Sequence, residues 1–228
     1  MKLLALDTST VACTAGLLVG DEIIVRHAEK EREHTNLLVP QIRSLLDEAA
    51  LEPRDLDAIV LGNGPGSFIG MRIAASVASG LAFGAGVQIV PVSSLAAVAA
   101  RAGIYGQPVA VAQDAHMGEI YLGIYRRTGT SSLEALVAER LQAPARIPEL
   151  EGLKHCLAAG AGWSRYPALF RANRWALEGP AGVLYPHAEN LLRLGAAAYS
   201  GGGGIAPQEL SLAYMRHQVA RKPGKPAP

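Results

Sequence analysis

Apolar residues run without a break through the first four positions of LLALD (3–7) and stop at Asp7, the pattern of a strand covered on both faces. ACTAGLLVGDEIIVRHAEK (12–30) then reads as two strands turning at Gly20 and Asp21, a strong hairpin signal. From Thr35 the period lengthens. Leu37, Leu38, Ile42, Leu45, Leu46, Ala49 and Ala50 recur at helical spacing, with Thr35 as the expected N-cap and Pro40 in the first turn or at a kink. DAIVLGNG (57–64) is the next buried strand, and it runs into the glycine-rich stretch GNGPGSFIG (62–70). A helix of small residues is predicted over 71–84, where Ala74, Ala78 and Ala82 fall at i, i+4 and i+8. Small residues on one face let another backbone approach closely. VQIVPV (87–92) reads as a strand, and SSLAAVAARA (93–102) as a helix opening at Ser93 and Ser94.

The order then restarts. PVAVAQDAHMGEIYLGIYRR (108–127) reads as two strands around a turn at His116, Met117 and Gly118. HCLAAGAGW (155–163) reads as a strand entering a turn and helix, and AENLLRLGAAAYSGG (188–202) as a helix ended by glycines. GGGG (201–204) reads as a linker, and KPGKPAP as a disordered tail. The strand–hairpin–helix arrangement thus occurs twice, the second time with fewer helices. An α/β chain of two lobes is expected: residues 1–105, a reduced second lobe over 106–220, and a tail over 221–228.

Composition narrows the class. Half of the residues are hydrophobic and 18% are charged, which describes a core-forming chain and not a disordered one. The 21 basic residues against 20 acidic leave no overall excess to bind nucleic acid unaided, so any nucleic acid would need a partner's help. Cys13 and Cys156 lie in apolar stretches without C-x-x-C spacing, which predicts two buried free thiols in a reducing cytosol. The uncharged run between Arg72 and Arg101 is interrupted by Pro91, Gln88, serines and glycines, so no membrane span is expected.

The chemistry is sparse. DTST (7–10) closes the first strand, and an acid beside hydroxyls at such a corner can position Mg²⁺ and phosphate; Asp, Ser and Thr also favour plain turns. The glycine stretch has no G-K-[ST], and the lysines (2, 30, 154, 222, 225) are all elsewhere. Its strand-to-helix position suits an anion, yet glycines there equally serve close packing. The six histidines show no i, i+3 or i, i+4 pair, and G-x-S-x-G is absent around Ser67. Neither a metal centre nor a catalytic nucleophile can be argued.

Together the motifs resemble the bacterial TsaB (YeaZ) family of tRNA threonylcarbamoyladenosine (t⁶A) biosynthesis. LALDTST, EHTNLLVPQI (33–42), GPGSFIGMRI (64–73), VSSL (92–95), DAHMGEIYLGIY (114–125) and LAYMR (212–216) carry the resemblance along nearly the whole chain. Two positions depart from the family's usual residues: Ile69 in place of Thr, and His116 in place of Arg. The resemblance implies a two-lobed fold of the actin-like, sugar-kinase and Hsp70 ATPase (ASKHA) group, with mixed sheets flanked by helices. Asp7 and Ser9 would be a vestigial phosphate corner, since the second half lacks a glycine-rich adenosine loop.

By the same resemblance the chain is a cytoplasmic, required but non-catalytic subunit. It pairs with TsaD, the metal-bearing transferase, is joined by TsaE, meets tRNA only in the complex, holds no cofactor, and forms a homodimer when alone. The pairing surface maps to the first two helices, and Leu38, Ile42, Leu45, Ala74, Ala78 and Ala82 are the expected contacts. On local pattern those faces also fit the interior of this chain; the resemblance assigns them to the partner. An ATP-dependent enzyme of the same group is the alternative, supported by Asp7 and Ser9 alone. A peptidase has no nucleophile–base pair or metal-ligand spacing to rest on.

Overall fold

The structure, a computed structural model, describes residues 1–147, 153 and 155–216. The tail expected over 221–228 lies outside the described residues. Two five-stranded mixed sheets are flanked by helices, as an ASKHA-like fold requires. In the first, β1 (Lys2–Asp7), β2 (Ala12–Val19) and β3 (Glu22–Glu29) form an antiparallel meander, and β4 (Ala58–Gly62) and β5 (Gln88–Val92) extend it in parallel beyond β1. The second repeats that order with β6 (Pro108–Asp114), β7 (Ile120–Arg127), β8 (Leu133–Gln142), β9 (Cys156–Ala159) and β10 (Leu177–Pro180).

The alternation of β1 shows how the layers form. Leu4 and Leu6 join Leu61 in a core cluster under α1 (His34–Glu48) and α2 (Phe68–Ala85), while Leu3 and Ala5 join Val60 on the opposite face. That opposite face is covered by Ala97 of α3 (Ser94–Ala102) and by Ala188, Leu191 and Leu192 of α6 (Ala188–Ser200). Leu95, Val98 and Ala99 of α3 pack on Val109 and Val111 of β6 in the second sheet, so one helix serves two cores. The far face of the second sheet is closed by α4 (Gly162–Arg165) and α5 (Pro167–Ala172), through Trp163 and Leu169.

Several sequence expectations are met and several are corrected. Ser93 caps α3 by accepting from the Ala96 N–H at 3.0 Å, as expected. Thr35 does not cap α1, which begins at His34 after Glu33 with no side-chain cap, and Pro40 lies in its interior. The glycines at 201–204 are no free linker: Gly203 N–H returns to the Ala198 carbonyl at 2.8 Å, and Ile205 then pairs antiparallel with Ile89 on the edge of β5. Since α6 belongs to the first sheet's core, a division at residues 105 and 106 cuts through that core. We propose that residues 188–212 be counted with the first lobe. Both cysteines are buried and free, with burial pushing the Cys13 thiol up to about 12 and the Cys156 thiol to about 11.

The largest correction concerns the expected partner contacts. Leu38, Leu45, Ala74, Ala78 and Ala82 are 0% exposed and Ile42 is 4% exposed in the chain alone, all in the cluster with Leu4 and Leu6. The physical reason is the bare face of β1 and β4, which alanines let α2 approach closely. By length and composition α2 alone among the described helices could cross a bilayer, but this face is packed on the sheet.

Ala78→Glu is therefore expected to unfold the chain, since an unpaired carboxylate would enter an apolar core at a cost of several kcal/mol. Ala78→Trp should also destabilise it, by overpacking. Circular dichroism melts would show both; a cooperative melt near the parent midpoint would refute the assignment.

A second expectation concerns α6. Its first N–H, from Ala188, donates to Thr14 Oγ1 at 3.1 Å, and the His187 ring lies 5.0 Å from that of His27. Burial, with Arg101 and His27 nearby, lowers the His187 pKa from 6.5 to about 4. The unfolded chain binds that proton more tightly, so this residue's contribution is lost as pH falls from about 6.5 towards 4. His187→Gln should lose less stability than the parent across that window, as read by thermal midpoints at stepped pH. Equal losses would exclude His187 as the cause.

Candidate functional site

The DTST corner and the glycine stretch are one packed unit. A Cβ at Gly62 would fall on the Asp7 carboxylate, and one at Gly70 on the Thr8 carbonyl oxygen, so only glycine permits this approach. Ser67 N–H donates to the Ser9 carbonyl at 2.6 Å, and the Thr8 hydroxyl to the Gly70 carbonyl at 2.6 Å. Ser67 also caps α2 by accepting from Gly70 N–H at 3.3 Å.

Asp7 sits at the centre of this unit, 1% exposed. One carboxylate oxygen accepts from Ser9 N–H at 2.7 Å and the other from the Ser94 hydroxyl at 2.5 Å. Ser94 Oγ in turn accepts from Gly64 N–H at 3.0 Å. The carboxylate thus ties β1 to the glycine turn and to the start of α3. Burial raises its pKa above 3.8, against the opposing pull of the Ser94 and Ser9 hydrogen bonds. A carboxylate so enclosed is spent on structure.

The second hairpin corner is bulkier. His116, Met117 and Gly118 all have positive φ (59°, 56° and 76°), a conformation that costs the two non-glycine residues strain. Asp114 Oδ1 accepts from His116 N–H at 2.9 Å and from the Tyr166 hydroxyl at 2.9 Å, so the acid of this corner is also engaged. Between the corners lies a cleft of 850 Å³ whose walls include Thr10, His34, Gln113, Ser164 and Arg165. Among the described residues no group of three His, Cys, Asp or Glu side chains could hold a metal ion.

The C-terminal LAYMR segment ties the lobes together. Tyr214 accepts from Arg72 Nε of α2 at 2.9 Å, while Arg216 donates to the Ala115 carbonyl at 3.0 Å and pairs with Glu119 at 2.6 Å.

With the inner faces of α1 and α2 committed to the core, their outer faces remain. On α2, Ile69, Ile73, Ser76, Gly80 and Phe83 follow one another at spacings of four and three, a single helical stripe. Ile69 is 70% exposed and Phe83 81% exposed. Gly80 and Gly84 are exposed, and a Cβ on either would meet nothing within 4 Å. Gly80, in the helix interior, costs about 1 kcal/mol against alanine with no packing reason inside this chain, and Gly84 lies in the last turn before the Gly86 cap. On α1, Val39 is 48% exposed. Ser76, Gly80 and Gly84 form a second i, i+4, i+8 series of small residues, which the sequence shows as plainly as Ala74, Ala78 and Ala82.

Over residues 25–177 the chain matches the family model described as "TsaD: tRNA N6-adenosine threonylcarbamoyltransferase". It is 33% identical to the tRNA threonylcarbamoyladenosine biosynthesis protein TsaB of Escherichia coli, over 99% of this chain and 100% of that protein. The Haemophilus influenzae protein of the same name is also 33% identical, over 99% and 98%. Among solved structures, "YeaZ from Pseudomonas aeruginosa" aligns with a TM-score of 0.85 and 35% identity, covering 93% of this chain and 99% of that one.

The enclosed Asp7 makes a distinctive pH signature. Its folded pKa is raised, so its contribution to stability is fully present below 3.8 and declines as pH rises through the folded value. Asp7→Asn removes that titration, so the stability of parent relative to variant should fall with rising pH in denaturant unfolding. A pH-independent difference would refute this. Asp7→Ala strands the Ser9 N–H and the Ser94 hydroxyl and should cost about 2–3 kcal/mol.

Proposed function

The chain belongs to the TsaB (YeaZ) family, and we propose that in tRNA threonylcarbamoyladenosine biosynthesis it is a non-catalytic subunit that pairs with a TsaD-type transferase. The pairing surface is the outer stripe of α2, Ile69 to Phe83, with the outer face of α1 beside it. The single observation that supports this most is that outer face: Ile69 and Phe83 stand exposed on it, and Gly80 and Gly84 leave room for a close external neighbour. A transferase needs groups that reach substrate, and here Asp7 and Asp114, the acids of the two cleft corners, are bound up in hydrogen bonds within the chain. That supports a supporting role and not a catalytic one.

In this reading TsaE joins the pair, a separate enzyme supplies threonylcarbamoyl-adenylate, and tRNA is met in the assembled complex in the cytoplasm. Without the partner, the same stripe pairs with a second copy of this chain. Ile69, which replaces the family's usual Thr, stands on the stripe's exposed side and adds apolar contact area there.

Gly80→Leu and Phe83→Glu discriminate this from the inner-face alternative. Gly80→Leu should keep or raise the melting temperature, because leucine is the better helix former. It should nevertheless abolish co-purification with the TsaD-type partner and t⁶A formation in a reconstituted assay. Phe83→Glu should fold normally and fail in the same two measurements. Folded variants that still pair would place the interface elsewhere.

A further inference from the structure

The chain's near-neutral charge conceals a local excess. Between Glu151 and Glu178 the sequence holds no acidic residue, and the described part of that stretch carries Arg165, Arg171 and Arg174. α4 ends at Arg165, Arg171 lies in the last turn of α5, and Arg174 and Trp175 follow in the turn before β10. All four side chains are exposed, Trp175 by 39%, whereas the chain's other tryptophan, Trp163, is 5% exposed within the core. Among the described residues Arg171 and Arg174 make no ion pair or hydrogen bond, and Arg165 has only Asp114, at 3.8 Å.

The turn that presents these groups is held from within. Asn173, 0% exposed, accepts from Ile147 N–H at 2.7 Å and donates to the carbonyls of Leu169 at 2.7 Å and Ala145 at 3.2 Å. Its own carbonyl accepts from Ala176 N–H at 3.0 Å and Leu177 N–H at 3.2 Å. Residues 171, 174 and 175 therefore project from an anchored backbone, so a ligand meeting them need not order the main chain as well as the side chains.

Two unpaired guanidiniums beside a half-exposed indole match one ligand chemistry well: phosphates spaced along a strand, with an unstacked base between them. We propose that the Arg171–Arg174–Trp175 turn is an RNA contact, the arginines taking backbone phosphates and Trp175 stacking on a base of a single-stranded loop. This rests on the reading above that the chain works on tRNA beside a TsaD-type partner. It assigns this subunit a direct share of RNA recognition.

The test uses the full chain co-purified with its TsaD-type partner and a fluorescein-labelled, unmodified tRNA transcript, read by anisotropy between 50 and 200 mM salt. The double variant Arg171→Glu/Arg174→Glu should weaken binding at least tenfold and reduce the salt slope by about 1 to 2. Arg171→Gln/Arg174→Gln should show the same trend more weakly. Trp175→Ala should weaken binding roughly tenfold, and Trp175→Phe should restore most of it. Pairing is measured separately by co-purification for every variant, and folding by circular dichroism. Lost RNA affinity with retained pairing upholds the proposal. Unchanged RNA affinity and salt slope in folded, paired variants overturns it and leaves the pairing reading standing. Joint loss of pairing and RNA binding, or equal competition by polyglutamate, also overturns it, because the patch would then be a protein contact.

Discussion

Everything in the first lobe follows from β1 being apolar on both faces. Leu4 and Leu6 demand cover from one side, Leu3 and Ala5 from the other. The first demand consumes the inner faces of α1 and α2, including the alanine series of α2. The second is met only in part by Ala97 of α3, because that helix also serves the second sheet. The rest is met by α6, which comes back from residue 188 to pack on β1 and β4. Burial of this kind is non-directional and scales with area, so the helix that arrives need only be apolar on one stripe and slim enough to lie close. The two lobes are consequently joined twice, by α3 at their shared core and by the C-terminal segment that runs from Asn63 to the second hairpin.

The same constraint shapes the first corner of the cleft. Asp7 ends β1 and is drawn inward with it, where solvent can no longer support its charge. The fold compensates with Ser9 and Ser94, and the glycines at 62 and 70 bring the turn close enough to seal the site. The Asp7 carboxylate thereby holds β1, the glycine turn and the start of α3 together. Asp7 and His187 also pull stability in opposite directions with pH, since burial favours the neutral form of each.

Much of this was legible in the sequence. The hairpin at Gly20, the strand at 57–64, the helix opening at Ser93 and the turn at 116–118 all follow from local signals, because period and turn chemistry act over a few residues. Strand β8 did not, since LEALVAERLQ is made mostly of helix-favouring residues and becomes a strand by pairing with β7. The return of α6 was equally hidden: an apolar stripe states that it will be buried, but carries no address. The Arg171–Trp175 turn escaped notice because a whole-chain charge balance averages it away, and because Asn173 shows its anchoring role only through contacts at 145, 147 and 169.

The case of α2 shows where sequence reading stops and why. It carries two small-residue series, Ala74–Ala78–Ala82 and Ser76–Gly80–Gly84, and periodicity treats them alike. What separates them is residue chemistry against its surroundings. Alanine in a helix is neutral in propensity and buries a methyl, so it suits a face that must pack on this chain's own sheet. Glycine in the middle of a helix is a loss unless something approaches closer than a Cβ would allow. At Gly62 and Gly70 that something is visible within the chain, in Asp7 and Thr8. At Gly80 and Gly84 it is not, and the neighbouring Phe83 stands 81% exposed. A helix that carries two open glycines and an exposed phenylalanine on one face is only half packed by its own chain.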